Sequence, residues 1–528
     1  MRTRVCGGFF FAFLAAVSLP GQQSVLTNRY DNLGTGANLQ ERVLNVSNVN
    51  PTRFGKLFHY SVSGSVFAQP LYLPRVNIAG RGVHNVIYIA TMDDRVYAFD
   101  ADGPGDPLWQ RDLTNAARGI TPMPVADVTG NNNLNIVGNV GILSTPVIDS
   151  ATGTLYLVAR TKEREGYFQK LYALDVHTGK DRMPPALIRA RIASMANDAV
   201  DGYLYFNSKT NNQRPALTLA NGQIFIAWAS HEDILPYHGW IMAYDAKTLR
   251  QTAALCITPA GSEGGVWQSG RGAVVDREGN VYYETGNGSW NGTTDFGETL
   301  LRLRVRGGKL EISDYFTPAN YSALNDRDAD FGSTGPMLIP GTNLIVCGDK
   351  DGVITLLDTR KLGKLSGNSN QPLQALPLNG GLVMNGPAWW AGPHGPSLYI
   401  WNQADVLKVF HFNGSVFDAQ PAAKGKVASH GSPGGALTIS ADGAEAGTGI
   451  VWAMLTVDKS ADHGSVPGVL RAFNAETLEE LWNSDENPGR DRLGTLVKFV
   501  PPVVVDGKVF AVTYDNAVNV YGLLPAGH

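Results

Sequence analysis

The sequence is poor in cysteine and in charge. Only three of its 528 residues are cysteine, and Asp, Glu, Lys and Arg together make up 17%. Cys6 lies in the N-terminal leader described below, and Cys256 and Cys347 lie in apolar stretches. A chain of this length can bury a core without disulfides, so we predict that both are buried free thiols. The net charge of −4 and the lack of a basic stripe argue against a nucleic-acid partner.

Long hydrophobic runs and amphipathic helix patterns are also scarce. No segment beyond the N-terminus reaches the roughly 18 apolar residues of a transmembrane helix. Residues 1–22 read MRTRVCGGFFFAFLAAVSLPGQ, in which two arginines precede a short apolar run and small residues. This pattern is typical of a secretory signal peptide, and we predict cleavage between Ser18 and Gln23. The mature protein is therefore expected to be exported, as a periplasmic or secreted protein without a transmembrane segment.

A strand–turn–strand unit recurs eight times along the rest of the chain. Each copy has an apolar strand, a polar turn of variable length, and a second strand that ends near Asp or Asn. The clear copies start at residues 85, 153, 222, 342, 449 and 507, and two less regular copies start at 279 and 396. A further strand containing Pro or Gly precedes each copy, and a fourth strand often follows. Four short antiparallel strands per unit, repeated eight times, predict an all-β, eight-bladed β-propeller.

The two ends of the repeat array predict how the ring closes. The strand RFGKLFHYSV, residues 53–62, has no unit of its own, whereas the last copy stops early at Tyr521. We therefore predict that this N-terminal strand completes the last blade. The predicted organisation is a signal peptide (1–22), a lead-in (23–52), a single propeller domain (53–524) and a tail (525–528).

The repeat itself resembles that of a known family. The stretches VYAFDADG…PLWQ, LYALDVHTGK and LRAFNAETLEELW are similar to the repeat of quinoprotein dehydrogenases, and the similarity extends over residues 53–523. Those proteins are eight-bladed propellers that hold pyrroloquinoline quinone and a calcium ion on the propeller axis. The resemblance implies the same cofactors here and the oxidation of a small-molecule alcohol or sugar. The sequence has no C-x-x-C-H haem motif, so we expect a separate electron acceptor.

The resemblance also implies a set of site residues. YYETGNGSWN is similar to the family's calcium-binding turn, which makes Asn287 a calcium ligand. DADFGSTGPMLI is similar to the segment that carries the catalytic base, which makes Asp330 both the base and a calcium ligand. CGDKDGVITLLD is similar to the segment with the basic quinone contact, here Lys350. The third metal ligand is a glutamate, for which the hairpin offers Glu163 and Glu165, and the spacing favours Glu165. Glu, Asn and Asp oxygens suit a hard cation, and an aspartate can accept the proton of an alcohol.

Two features depart from the family pattern. The family's larger alcohol enzymes have two adjacent cysteines over the cofactor, and this chain has no such pair. They also stack a tryptophan under the quinone, and that position corresponds here to Gly270. Trp267 lies three residues earlier and is the candidate quinone-binding aromatic residue.

Two other functions fit the same sequence. A non-catalytic propeller that binds a protein or glycan is favoured by the missing cysteine pair and tryptophan, whereas the order of Asn287, Asp330 and Lys350 favours the enzyme. The polar loop WASHEDILPYHGW also offers His231 and His238 as ligands for zinc or copper. Spacing of this kind within a loop fixes no geometry, and the pattern favours hydrogen-bonded structural histidines over a metal site.

Overall fold

The computed structural model describes residues 23–130, 135–365, 371–378, 380–462 and 464–525. The predicted signal peptide, residues 1–22, lies outside these ranges. Two strands precede the first blade, β1 (Ala37–Asn38) and β2 (Phe54–Ser61). No helix in the described ranges is long and apolar enough to cross a membrane.

The chain forms an eight-bladed β-propeller, which confirms the fold predicted from the repeat. Each blade is built on four antiparallel strands, with the first strand nearest the axis. The first blade contains β3 (Leu71–Ile78), β4 (Gly82–Ala90), β5 (Arg95–Asp100) and β6 (Trp109–Asp112), and the second contains β7 (Thr121–Pro124), β8 (Asn139–Val140), β9 (Val147–Asp149), β10 (Thr154–Glu163), β11 (Gly166–Asp175) and β12 (Ala186–Leu187). A separate hairpin, β13 (Arg191–Ala193) and β14 (Tyr203–Tyr205), follows the second blade. The third blade contains β15 (Thr218–Ala220), β16 (Gln223–Trp228), β17 (Trp240–Asp245) and β18 (Gln251–Cys256), and the fourth contains β19 (Val274–Val275), β20 (Val281–Glu284), β21 (Leu300–Arg306) and β22 (Lys309–Phe316).

The N-terminal strand completes the last blade, as predicted. The fifth blade contains β23 (Met337–Leu338), β24 (Leu344–Gly348), β25 (Val353–Asp358) and β26 (Gln374–Pro377), and the sixth contains β27 (Ala388–Gly392), β28 (Gly395–Ile400), β29 (Val406–His411) and β30 (Ala423–Ala428). The seventh blade contains β31 (Ala436–Ser440), β32 (Ile450–Thr456), β33 (Pro467–Asn474), β34 (Glu480–Asn483) and β35 (Gly494–Thr495). The eighth contains β36 (Val503–Val505), β37 (Lys508–Val512) and β38 (Ala517–Leu523), together with β2. β2 pairs antiparallel with β38, from Phe54 opposite Leu523 to Ser61 opposite Ala517. The ring is therefore closed by strands from both ends of the chain.

Helices are few and short. The described residues contain α1 (Ala126–Thr129), α2 (Tyr321–Asp326), α3 (Pro488–Asp491) and two 3₁₀ turns, Ala116–Arg118 and Gln268–Gly270.

Buried tyrosines join neighbouring blades at several places. Tyr88 of β4 donates its hydroxyl hydrogen to the carbonyl of Val176 in the next blade, at 3.1 Å. Tyr156 of β10 donates in the same way to Ala246, at 2.8 Å. Each hydroxyl satisfies a polar group that the packing of blade on blade would otherwise bury without a partner, while the ring fills the apolar space between the sheets.

The segment before β2 crosses the end of the ring and contacts the first strand of every blade. It forms one or more hydrogen bonds to each, and the bonded pairs in blade order are Val25 with Tyr72, Leu26 with Ile148, Asn32 with Leu219, Asn32 with Val275, Leu33 with Leu338, Thr35 with Trp389, Gly36 with Ile439, and Tyr30 with Val504. We call residues 23–41 the axial plug. Because these first strands surround the axis, the plug closes one end of the propeller and pairs backbone groups that the ring alone leaves open.

Cys256 and Cys347 are buried free thiols, as predicted. Cys347 lies beside Glu284, which is fully buried near the guanidinium of Arg271. Among the described residues, neither carboxyl oxygen of Glu284 has a well-formed hydrogen-bond partner. Burial raises the pKa of Glu284 to about 8, against the opposing influence of Cys347 and Arg271. Glu284 therefore prefers the protonated, neutral form in the folded protein.

We expect Glu284→Gln to flatten the loss of stability with rising pH. The pKa of Glu284 rises from 4.5 to about 8 on folding, so the folded state binds the extra proton between these pH values. Stability from this group is full at low pH and falls by up to about 1.4 kcal/mol per pH unit across that window. The neutral variant has no such proton to lose, so its advantage over the wild type should grow up to about pH 8. Urea unfolding from pH 5 to 9 measures this, with the exposed Glu165→Gln as control. Parallel curves for wild type and Glu284→Gln would contradict it.

Candidate functional site

A cavity of about 600 Å³ lies at the centre of the ring. Its walls come from loops of the second to eighth blades, so the space lies on the propeller axis. The lining side chains that matter below are Arg214, His231, Asp233, Trp267, Asp328, Asp330, Lys350, Lys498 and Phe499.

Asp330 is fixed in this cavity from two sides. It precedes β23 and is 5% exposed. Its Oδ1 accepts a hydrogen bond of 2.7 Å from the backbone N–H of Asn287, and its Oδ2 lies 2.5 Å from the Lys350 Nζ. Gly286 lies so close that an added Cβ would collide with the Asp330 carboxylate and lie 3.0 Å from Cδ1 of Trp267. Only glycine at this position allows the aspartate and the tryptophan to approach the same turn.

Asn287 has one oxygen without a partner. Its side-chain Nδ2 donates to Asp328 at 2.6 Å, and its buried Oδ1 has no hydrogen-bond partner among the described residues. Lys350 bridges the same group, because its Nζ also lies 2.9 Å from Asp328 Oδ1. The structure thus brings together Asn287, Asp330 and Lys350, three residues that the sequence placed in separate motifs.

The cluster carries an excess of negative charge. Burial and the charge of Asp330 raise the pKa of Glu298 to about 9 and that of Asp233 to about 6. Burial alone would lower the pKa of Lys350, but the carboxylates of Asp330 and Asp328 raise it above its ordinary value. The Lys350 ammonium is therefore the positive charge that holds these acids together in the structure.

Trp267 is presented to the cavity by an unusual turn. The next three residues, Gln268, Ser269 and Gly270, have φ of 50°, 47° and 78°, in the left-handed region that only glycine adopts readily. Contacts hold the turn in place, since Gln268 accepts from the backbone N–H of Glu284 at 2.8 Å and Ser269 donates to the carbonyl of Ser333 at 2.6 Å. Strained backbone of this kind concentrates at binding sites, where the surrounding structure compensates for its cost.

Gly270 leaves open space where the resemblance expects an aromatic ring. A Cβ added there would meet only the backbone oxygen of Arg214 within 4 Å, at 3.9 Å. Arg214, Lys498 and Phe499, from other parts of the ring, line the space beside Gly270.

The structure does not bring Glu165 to the Asp330 cluster. Glu165 lies exposed in the turn between β10 and β11, and it does not line the cavity. Glu163 is held on the same hairpin by Lys170, with Nζ 2.6 Å from its Oε1. The glutamate that lies beside Asp330 is Glu298, which accepts from the backbone N–H of Phe331 at 2.6 Å through Oε2 and whose buried Oε1 has no partner in the described part of the chain. Its sequence signal is a glutamate two residues before the strand β21, which begins with two buried leucines.

The two histidines of the polar loop have different surroundings. His238 is buried between Thr258 and Asp198, and it does not line the cavity. His231 does line the cavity, and its Nε2 lies 2.5 Å from a guanidinium nitrogen of Arg160. Arginine can only donate, so Nε2 is the acceptor and Nδ1 carries the hydrogen; burial also lowers the pKa of His231 and keeps it neutral.

No set of three or more His, Cys, Asp or Glu side chains converges into a ready metal site within the described residues. Around Asp330, the acids are instead spaced by the Lys350 ammonium. A cation bound here would have to compete with that ammonium for the Asp330 carboxylate.

Solved structures with a similar fold include methanol and alcohol dehydrogenases. A europium-containing methanol dehydrogenase superposes with a TM-score of 0.61 at 13% identity, covering 95% of this chain and 98% of the other. A quinohemoprotein alcohol dehydrogenase from Pseudomonas putida HK5 gives 0.58 at 13% identity, and one from Comamonas testosteroni gives 0.54 at 16%; each comparison covers 95% of this chain and 80% of the other. No protein-family model matches the sequence, and no curated protein sequence does either. The chain therefore has the eight-bladed propeller fold of these dehydrogenases.

Proposed function

We propose that this protein is an oxidoreductase that oxidises a small alcohol or sugar with pyrroloquinoline quinone and calcium in the axial cavity. The observation that carries the proposal is the contact of Asn287 and Lys350 with Asp330, at 2.7 and 2.5 Å, on the cavity wall. These residues come from three separate motifs in two blades. If each had only a local structural role, nothing would require their side chains to be in contact.

The donor atoms fit a hard cation. Calcium prefers oxygen ligands, and Asn287 Oδ1 and Glu298 Oε1 are buried oxygens without partners among the described residues, beside Asp330. Unpaired buried oxygens are costly unless something positive faces them. Asp330, Asn287 and Glu298 would hold the ion, and the ion would return the raised pKa of Glu298 toward its ordinary value.

The cavity also fits a planar quinone. Its volume of about 600 Å³ suits a ligand the size of a three-ring cofactor. Lys350 would donate to a quinone carbonyl, and Trp267 would form an aromatic wall. When bound, the quinone would accept the hydride from the alcohol carbon, with calcium polarising its carbonyl.

Side chains of this protein would carry out the proton transfer and bind the substrate. Asp330 accepts the hydroxyl proton of the substrate, while the Asn287 N–H and Lys350 keep its carboxylate oriented. His231 offers its Nδ1–H as a neutral donor for a substrate oxygen on the cavity wall. The axial plug closes the far end, so substrate enters and product leaves at the mouth.

We further propose that the protein is exported, on the strength of its N-terminal sequence. N-terminal sequencing of the protein recovered from a periplasmic or culture fraction should give a start between residues 19 and 23. A chain that keeps Met1 in the cytoplasm would contradict this.

Reconstitution tests the enzymatic proposal directly. Purified protein is incubated with calcium and pyrroloquinoline quinone, desalted, and assayed by absorbance and by dye-linked oxidation of a panel of alcohols and sugars. We expect retained quinone and calcium-dependent dye reduction. Terbium replaces calcium in a parallel experiment, in which indole-sensitised emission reports a lanthanide close to Trp267.

The controls separate cofactor binding from chemistry. Trp267→Phe should lose the sensitised terbium emission but keep terbium binding, and the exposed Glu165→Gln should change neither. Loss of all quinone on desalting, with no cation bound by the wild type, would reject the proposal and favour the non-catalytic propeller.

A further inference from the structure

The floor of the axial cavity is formed by Arg214, which precedes the third blade, and by the consecutive residues Lys498 and Phe499, which precede the eighth. Arg214, Lys498 and Phe499 line both the cavity and a second, much smaller void of about 10 Å³ beneath it. They therefore separate the two spaces. Gly270 also borders the smaller void, so this floor lies at the level where the family resemblance expects the stacked tryptophan.

Arg214 is an unpaired cation on this floor. It is partly buried, and in the described part of the chain its guanidinium has neither an ion pair nor a side-chain hydrogen bond. Its contacts are aromatic, with the guanidinium carbon 4.9 Å from the ring centre of Phe499 and 5.9 Å from that of Phe67. These cation–π contacts hold the guanidinium carbon near the rings without occupying its N–H donors.

A second cation lies beside the first. Lys498 is 7% exposed, and burial together with the charge of Arg214 lowers its pKa to about 8, while Glu232 and Asp462 oppose the shift. Its Nζ donates to the side chain of Asn135 and, at 3.2 Å, to the carbonyl of Asp462. Two positive groups held together without a carboxylate bonded to either indicate a site whose missing component is an anion.

We propose that Arg214, held beside Phe499 by a cation–π contact, is the platform on which a planar aromatic polycarboxylate lies in the axial cavity, in place of the aromatic ring missing at Gly270. A planar guanidinium stacks on an aromatic face and also binds carboxylates, so one side chain serves both needs. The ligand would then extend from this cationic floor towards the acidic cluster at Asp330. This inference rests on the proposed function in one respect, since pyrroloquinoline quinone is itself a planar tricarboxylate.

The test measures binding rather than turnover. Full-length mature protein is titrated with pyrroloquinoline quinone and with naphthalene-2,6-dicarboxylate, and the dissociation constant is read from equilibrium dialysis and ligand fluorescence. The variants are Arg214→Ala, Arg214→Lys and, as matched control, Arg327→Ala. Arg327 lines the same cavity but is exposed and paired, with a guanidinium nitrogen 2.6 Å from Asp351.

We expect Arg214→Ala to weaken binding of both ligands by about 10- to 100-fold, and to reduce its dependence on salt concentration. Arg214→Lys keeps the charge but not the plane, so its affinity should fall between those of the wild type and Arg214→Ala. Arg327→Ala should change affinity by less than about threefold. The uncharged dimethyl ester of the naphthalene ligand keeps the stacking but not the ion pair, so Arg214→Ala should weaken its binding less than it weakens binding of the dicarboxylate. Thermal unfolding of each variant checks that the propeller is intact, and Arg214→Lys keeps the test valid if the alanine variant is unstable.

The outcomes separate this inference from the proposed function. Arg214-dependent binding of both ligands without alcohol oxidation or cation binding would keep the platform and reject the enzyme. Equal affinities for wild type and the Arg214 variants, equal effects of Arg214→Ala and Arg327→Ala, or no binding of either ligand by the wild type would each overturn the platform.

Discussion

Replacing Asp330 with asparagine is expected to lower quinone-dependent alcohol oxidation by about 10²- to 10⁴-fold, the range typical of a lost general base. The amide can still accept from the Asn287 N–H, so the side chain should keep its place. It can no longer take a proton from the substrate, and it removes the charge that faces the candidate cation. Terbium affinity should therefore fall together with kcat.

Asp328→Asn is the matched control for this change. Asp328 also contacts Lys350 and Asn287, but its side chain is 66% exposed, so its carboxylate interacts through water-screened charge. We expect a change of less than about tenfold in kcat and in terbium affinity. Steady-state kinetics with reconstituted protein and terbium titration measure both. Equal losses in Asp328→Asn and Asp330→Asn would mean that the cluster acts only through its summed charge.

Removing the axial plug, residues 23–41, is expected to prevent stable folding. The plug hydrogen-bonds to the first strand of all eight blades, and each such bond contributes about 1 kcal/mol net. The sum is of the same order as the roughly 5–15 kcal/mol that stabilise a whole domain. Circular dichroism and limited proteolysis of the truncated protein should show a loosened, protease-sensitive chain.

Two further samples make the plug experiment specific. Tyr30→Phe removes only the hydroxyl that accepts from the Val504 N–H at 2.7 Å and donates to the Val504 carbonyl, and should cost roughly 1–2 kcal/mol. A synthetic peptide of residues 23–41 added to the truncated protein should restore part of its protease resistance. A truncated chain that melts at the wild-type temperature would show that the ring is stable on its own.

The repeat made the fold predictable, because every blade shows its strands as alternating apolar runs and turns. The family resemblance singled out Asn287, Asp330 and Lys350, because each lies in a segment with a distinctive local sequence, and their contact is observed while their roles stay a prediction. Glu165 was chosen by spacing along a hairpin, but a hairpin tip extends away from its sheet into solvent. Which glutamate lies beside Asp330 depends on how β21 begins, and that is set in three dimensions.

Arg214 and the plug were not predictable from local patterns. Arg214 follows Asn-Asn-Gln in an ordinary polar loop, and only the ring geometry puts it between two phenylalanines of the eighth and first blades. The plug binds the blades through backbone groups and through scattered polar side chains such as Arg29 and Tyr30, so its sequence carries little periodic signal. In both cases the decisive partners are several blades away along the chain.

The plug also determines when folding of the propeller can be completed. Tyr30 is among the first residues of the described chain to be synthesised, yet its partner Val504 follows 474 residues later. Contacts of such long sequence separation form late and slowly. The axial plug is therefore synthesised first but cannot complete its contacts until the eighth blade has been synthesised. The propeller cannot reach its final fold before translation ends. For a protein exported as proposed, this delay would keep the chain in the loose state that threads through a membrane pore, with assembly completed only on the far side.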